Sequence, residues 1–143
     1  MSEALPTSLR LLAAEDNPLS QLLLRTLLAG VGLEPHMVGD GEAAVEAWAT
    51  GTFDLILMDV QMPRLDGVGA TRRIREREVA EGRARTPIIA LTANAAESYA
   101  EAYRAAGMDA VVAKPVDLTT LLGAMNLQLR GAGGGEDKRA RRG

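Results

Sequence analysis

Cysteine is absent from the chain, which excludes disulfides and thiolate-bound metal and suits a reducing compartment. Aromatic residues make up only 3% of the 143 positions, so any core must be aliphatic. No apolar stretch is long enough to cross a bilayer; the first one, Leu9 to Ala14, is interrupted by Arg10 and stopped by Glu15. The opening segment, Met1 to Ser8, lacks the basic start of a signal peptide. The sequence therefore predicts a cytoplasmic protein with no membrane partner. A net charge of −3 gives no basic signature for nucleic acid, and no nucleic-acid partner is expected. Histidine occurs once, as His36, beside Pro35 and with no carboxylate nearby in sequence, and reads as exposed and inert. Lysine is nearly missing too: Lys114 and Lys138 are the only two, and Lys138 lies in a Gly-rich, charged tail.

The remaining composition, 47% apolar and 24% charged, suits one globular domain with a sizeable core. Short apolar runs alternate with helical patterns. Strands are predicted at Leu9–Ala14, Leu33–Val38, Leu55–Met58, Ile88–Leu91 and Val111–Ala113. Pro35 places the second at or near a sheet edge. The four consecutive apolar residues of the third suit a strand covered on both faces. The first helix starts at Asn17-Pro18, a cap followed by proline, and ends at Gly30 or Gly32. Its core stripe is read as Leu19, Leu22, Leu23 and Leu27. Further helices are predicted over Glu42–Ala49, Val68–Ala80 and Ala95–Ala106, and one beginning near Leu118 with the stripe Leu118, Leu121, Leu122, Met125 and Leu129. Asp66-Gly67 reads as a turn. Five strand–helix units in this order predict a parallel sheet with helices on both faces.

In such a sheet the ligand site lies beyond the carboxyl ends of the strands. Glu15 and Asp16 follow the first strand, Asp59 the third, Thr92 closes the fourth and Lys114 the fifth. Alone, Asp16 and Asn17 would read as helix caps and Thr92 as structural; together with Asp59 and Lys114 they describe a site. Three carboxylates in one crevice repel unless a cation is present, and all-oxygen acidic ligands suit Mg²⁺. A lysine and a hydroxyl added to them fit a metal plus a phosphoryl group. A carboxylate can itself accept a phosphoryl group, and Asp59, which ends the most buried strand, is the predicted acceptor.

These residues resemble the receiver domains of two-component response regulators, especially those attached to hybrid sensor histidine kinases. The matching stretches are Ala14-Glu15-Asp16-Asn17, Leu57 to Pro63, Leu65-Asp66-Gly67, Ala90-Leu91-Thr92-Ala93, Gly107-Met108-Asp109 and Ala113-Lys114-Pro115. The resemblance implies a flavodoxin-like doubly wound (βα)5 sandwich with sheet order 2-1-3-4-5. It implies a receiver over residues 9–130, between a tail at 1–8 and a disordered Gly-rich, basic tail at 131–143. It further implies that Asp59 takes a phosphoryl group from a phosphohistidine on a histidine kinase or histidine phosphotransfer protein. Phosphorylation would then control a partner, including any downstream effector protein. Glu15 or Asp16, Asp59 and the backbone carbonyl of Gln61 would hold Mg²⁺. Thr92 and Lys114 would contact the phosphoryl group, with a cis bond before Pro115. Gln61 and Asn94 would tune water access. Leu24 and Leu28, outside the stripe read above, would dock the histidine-bearing partner. Receivers often carry an aromatic three residues before the lysine, where this chain has Val111; a different readout through the last two units is expected.

Other functions fit less well. A phosphatase with an aspartyl-phosphate intermediate wants a second acid where Gln61 stands. A flavin carrier wants a hydroxyl-rich phosphate loop where Glu15-Asp16-Asn17 would repel one. A scaffold without phosphorylation would not keep every reactive position filled. The domain's expected chemistry is confined to accepting and losing its own phosphoryl group, so it is not an enzyme acting on a separate substrate.

Overall fold

A computed structural model describes residues 8–134. Five parallel strands, β1 (Leu11–Ala14), β2 (His36–Val38), β3 (Leu55–Asp59), β4 (Ile88–Thr92) and β5 (Ala110–Ala113), form one sheet in the order β2-β1-β3-β4-β5. Five helices alternate with them: α1 (Pro18–Ala29), α2 (Gly41–Thr50), α3 (Gly67–Glu81), α4 (Glu97–Ala106) and α5 (Leu118–Gly134). The alternation of elements predicted the parallel sheet with helices on both faces, and the strand order is that of the flavodoxin-like doubly wound architecture the resemblance implied.

The period-two geometry of strands divides the core in two. Leu12, Ala14, Ile56, Met58, Ile88 and Ala90 pack against α2, α3 and α4, with Trp48 and Ile74 filling the layer. Leu11, Ala13, Leu55, Leu57, Ile89 and Leu91 pack against α1 and α5, around Leu28, Leu121 and Met125. Both faces of β3 are thus covered, as its unbroken apolar run requires.

Several boundaries differ from expectation. β2 begins at His36 rather than Leu33. Pro35 has no N–H to give the ladder, while Leu33 turns into the core and donates its N–H to the Leu28 carbonyl at 2.9 Å. His36 is exposed on this edge strand, as expected, and lies against the Phe53 ring with centroids 5.8 Å apart. α5 continues to Gly134 and does not stop at residue 130. The basic cluster from Lys138 onward lies outside the described residues.

The larger correction concerns α1. Leu24 and Leu28 are its buried residues, at 3% and 0% exposure, whereas Leu19, Leu22 and Leu23 are 75%, 59% and 46% exposed. Six leucines within ten positions cover roughly 240° of a helix turning 100° per residue. Two stripes therefore compete in sequence, and packing against the sheet and α5 settles which is buried. Asn17 caps the helix, accepting from the Leu19 and Ser20 N–H groups at 2.9 and 3.0 Å, and Leu24 and Leu28 face the sheet. Leu24 and Leu28 are therefore core residues and do not form the exposed docking face expected of them.

Candidate functional site: an acidic cleft with one lysine

The carboxyl ends of β1, β3, β4 and β5 open into one cleft of about 530 Å³. Parallel register brings them level: Ala14 pairs with Met58, Asp59 with Leu91 and Thr92 with Ala113. Backbone bonds fix the chain just past each end. The Glu15 N–H donates to the Val38 carbonyl at 3.0 Å, Val60 to Leu91 at 3.0 Å and Lys114 to Thr92 at 2.8 Å. The Lys114–Pro115 peptide bond is cis.

Lys114 reaches into the cleft between two carboxylates. Its Nζ lies 3.0 Å from Glu15 Oε1 and 3.1 Å from Asp59 Oδ1. Both acids are buried, at 2% and 3% exposure. Glu15 is held further by the Asn17 N–H, which donates to its other oxygen at 3.1 Å. The Gln61 N–H donates to Asp59 Oδ1 at 3.3 Å. Asp16 is exposed at the rim, yet carboxylate oxygens of Glu15, Asp16 and Asp59 all lie within 4.8 Å of one another.

The electrostatics follow from this crowding. Burial, and then the Glu15 charge, push the Asp59 carboxyl up from its ordinary 3.8 to about 6, against the opposing pull of Lys114 and the Gln61 N–H. Burial alone would lower the Lys114 ammonium, but its bonds to Glu15 and Asp59 outweigh that and hold it above its ordinary value. One ammonium among three carboxylates leaves the cleft with excess negative charge. The donor set is all oxygen and mostly anionic, which suits Mg²⁺; a divalent cation would relieve the Glu15 repulsion that adds to burial in raising Asp59.

The structure brings together the expected acceptor, metal-holding and phosphoryl-contacting residues, while Asn94 is not among the residues lining the cleft. Glu15, Asp16, Asp59, Gln61, Thr92 and Lys114 all line the cleft. Two contributors were missed. Gly67 does not sit in a free turn: Asp66 caps α3 through the Gly69 N–H at 2.8 Å, and Gly67 is the first helical residue. A Cβ there would lie 2.2 Å from the Asp59 carbonyl oxygen, so glycine lets α3 pack against the end of β3. The signal was present in Asp66-Gly67, but a cap and a turn share that dipeptide. The second is Tyr103, on α4, buried and with its hydroxyl 3.0 Å from Thr92 Oγ1. Eleven residues separate the two in sequence, and no local pattern links them.

A doubly wound sheet with an acidic, lysine-bearing cleft at its carboxyl edge defines a class of phosphoryl-handling α/β domains. Within it the match is specific: residues 11–126 fit the response regulator receiver domain, and the chain belongs to that family. It is 44% identical over 107 residues to the sensor protein GacS of Pseudomonas syringae pv. syringae, covering 75% of this chain and 12% of GacS. The chain thus spans about an eighth of that relative's length. Among solved structures it resembles the receiver domain of the sensor histidine kinase PA1611 from Pseudomonas aeruginosa, crystallised with magnesium in the active-site cleft. That match has 38% identity and a TM-score of 0.74, covering 86% of this chain and 98% of that one. It also resembles a chain of the Saccharomyces cerevisiae complex between the histidine phosphotransfer protein Ypd1 and the receiver domain of Ssk1. Here identity is 31% and the TM-score 0.75, over 79% and 83% of the two chains. Among the described residues no helix is long and apolar enough to cross a membrane.

Proposed function

We propose that Asp59 is the phosphoryl acceptor of this receiver, that the group comes from a phosphohistidine on a histidine kinase or histidine phosphotransfer protein, and that the receiver occupies residues 9–134. The observation that carries this is the Glu15–Lys114–Asp59 arrangement, a buried carboxylate held by an ammonium in an open acidic cleft.

In the transfer, an Asp59 carboxylate oxygen attacks phosphorus, the phosphorus–nitrogen bond breaks and an acyl phosphate forms. With the other ring nitrogen already protonated, the imidazole leaves neutral, so this chain need supply no proton. Lys114 already touches Asp59 Oδ1 and offers the transferring oxygens a positive charge that needs little rearrangement. Thr92, at the end of β4, offers a hydroxyl donor. Glu15, Asp16, Asp59 and the Gln61 carbonyl would hold Mg²⁺, which when bound neutralises charge on the transferring oxygens. The domain accepts and loses its own phosphoryl group and acts on no separate substrate. A cytoplasmic location, where such donors meet a cysteine-free domain, belongs to this reading.

The exposed leucines of α1 give the donor somewhere to dock. An apolar groove of about 350 Å³, lined by Leu23, Leu24, Pro115 and Val116, shares Ser20, Glu15 and Lys114 with the cleft. A histidine-bearing helix laid on Leu19, Leu22 and Leu23 would bring its imidazole to the cleft mouth. The triple substitution Leu19→Ala, Leu22→Ala, Leu23→Ala should slow transfer from a phosphorylated histidine phosphotransfer protein roughly tenfold or more, as expected when apolar anchors are lost. Phosphorylation by acetyl phosphate should be unchanged. Equal transfer rates from the protein donor would remove this docking face.

A further inference from the structure

Thr92 Oγ1, Tyr103 Oη and the Asn94 backbone form a closed hydrogen-bonded ring at the carboxyl end of β4. The Asn94 N–H donates to Thr92 Oγ1 at 2.9 Å. Thr92 Oγ1 lies 3.0 Å from Tyr103 Oη. Tyr103 Oη lies 3.2 Å from the Asn94 carbonyl oxygen, and Thr92 Oγ1 lies 3.3 Å from that same oxygen. Thr92 and Tyr103 are buried, at 4% and 5% exposure.

A proton inventory shows what the ring does. Two hydroxyls bring two protons. Either Thr92 donates to Tyr103 and Tyr103 to the Asn94 carbonyl, or Tyr103 donates to Thr92 and Thr92 to the Asn94 carbonyl. In both arrangements the single Thr92 proton is held within the ring, toward Tyr103 of α4 in the first and toward the Asn94 carbonyl in the second. Thr92 also lines the acidic cleft, and donating to a phosphoryl oxygen there requires that same proton. Once it turns outward, the Tyr103 proton can serve Thr92 Oγ1 or the Asn94 carbonyl, but not both. One contact of the ring is then left without a proton, a loss worth about 0.5–1.5 kcal/mol for an ordinary hydrogen bond.

We infer that Tyr103 is a positioning residue that holds the Thr92 hydroxyl away from the cleft in the free protein and couples its capture by a phosphoryl group to movement of α4. The inference rests on Asp59 being the phosphoryl site. Opposite Ala90 of β4, β5 presents only Val111, which has no hydroxyl to share. Tyr103 reaches Thr92 from the helical layer, and packs with Val111 against the same core. α4 carries the consequence: Tyr103 is one of its three buried residues, with Ala100 and Ala106, and its N-cap, Ala96, has no side-chain bond. The helix start is therefore lightly held where the ring would pull on it.

The test is a titration with beryllium fluoride, a phosphoryl mimic, in the presence of Mg²⁺, on the wild type, Tyr103→Phe, Thr92→Val and the double variant. Affinity is read from amide NMR. Tyr103→Phe should bind roughly two- to tenfold more tightly, the fold-change equivalent to the hydrogen bond it removes. In the Thr92→Val background it should change nothing. A merely structural hydroxyl would give neither the tighter binding nor its dependence on Thr92. In the wild type, with Tyr103 labelled at Cζ, its resonance should shift on binding while that of exposed Tyr99 stays put; this reading needs no variant. Unchanged or weaker binding by folded Tyr103→Phe, or a Tyr103 resonance that does not move, overturns the inference while leaving Asp59 in place. A wild type that binds no beryllium fluoride overturns both.

Discussion

Asp59 sits where burial and the Glu15 carboxylate raise its pKa to about 6, and that has a consequence for stability. Unfolding returns the carboxyl to its ordinary 3.8, so between these values the folded state binds more protons than the unfolded one. The stability this group contributes is fully present below the unfolded value and is lost as pH rises through the folded one. Asp59→Asn cannot charge and escapes that loss. Without divalent cation, its urea midpoint should exceed that of the wild type at about pH 7, and the gap should close by about pH 4. A wild type at least as stable as Asp59→Asn at the higher pH would mean that Lys114 fully offsets the burial. The identities of Asp59, Glu15, Thr92 and Lys114 as site residues were legible in sequence because each closes an apolar run and the ends of parallel strands meet. Tyr103 was not. Its hydroxyl reaches Thr92 from a different layer, through tertiary packing that no spacing rule encodes.

At the scale of elements, α1 shows where sequence reading fails. The apolar runs of β1, β3 and β4 leave one interpretation, because both faces of these strands are covered and every residue in them is buried. α1 offers two leucine stripes, and the buried one is Leu24 and Leu28 rather than the stripe through Leu22 and Leu23. The assignment predicts a clear asymmetry. Leu28→Ala, which empties a fully buried position, should cost about 2–5 kcal/mol. Leu22→Ala should change stability by no more than about 0.5 kcal/mol. Chemical denaturation of the two variants decides it, and comparable losses would return α1 to the stripe read from sequence. β2 was shortened where Pro35 can give the ladder no N–H, and Leu33 is buried outside the strand.

Across the whole molecule, the two ends of the sheet are built differently. The carboxyl end is open and charged. The amino ends of β4 and β5 are tied to α3 by Arg75, whose guanidinium donates to Glu78, to the Thr86 and Gly107 carbonyls and to Asp109, all at 2.8–3.1 Å. Glu78 in turn accepts from the Thr86 N–H, and Asp109 from the Ile88 N–H, each at 2.8 Å. Arg75→Ala would strand the buried Glu78 carboxylate, and should cost about 3–5 kcal/mol in denaturant unfolding. Phosphorylation of the protein that remains folded should continue. A small loss would mean that water replaces the guanidinium at this end. The rigid amino end fixes the strands in register, so that the residues beyond their carboxyl ends meet with the spacing the chemistry needs. That spacing supports Asp59 as the one residue that takes the phosphoryl group. The most direct measurement is intact mass after incubation with acetyl phosphate, with and without Mg²⁺, beside Asp59→Asn. The account predicts a single added phosphoryl group on the wild type, absent without Mg²⁺ and absent from the variant. Addition to Asp59→Asn at the wild-type level, or none to a wild type shown to bind Mg²⁺, would contradict it.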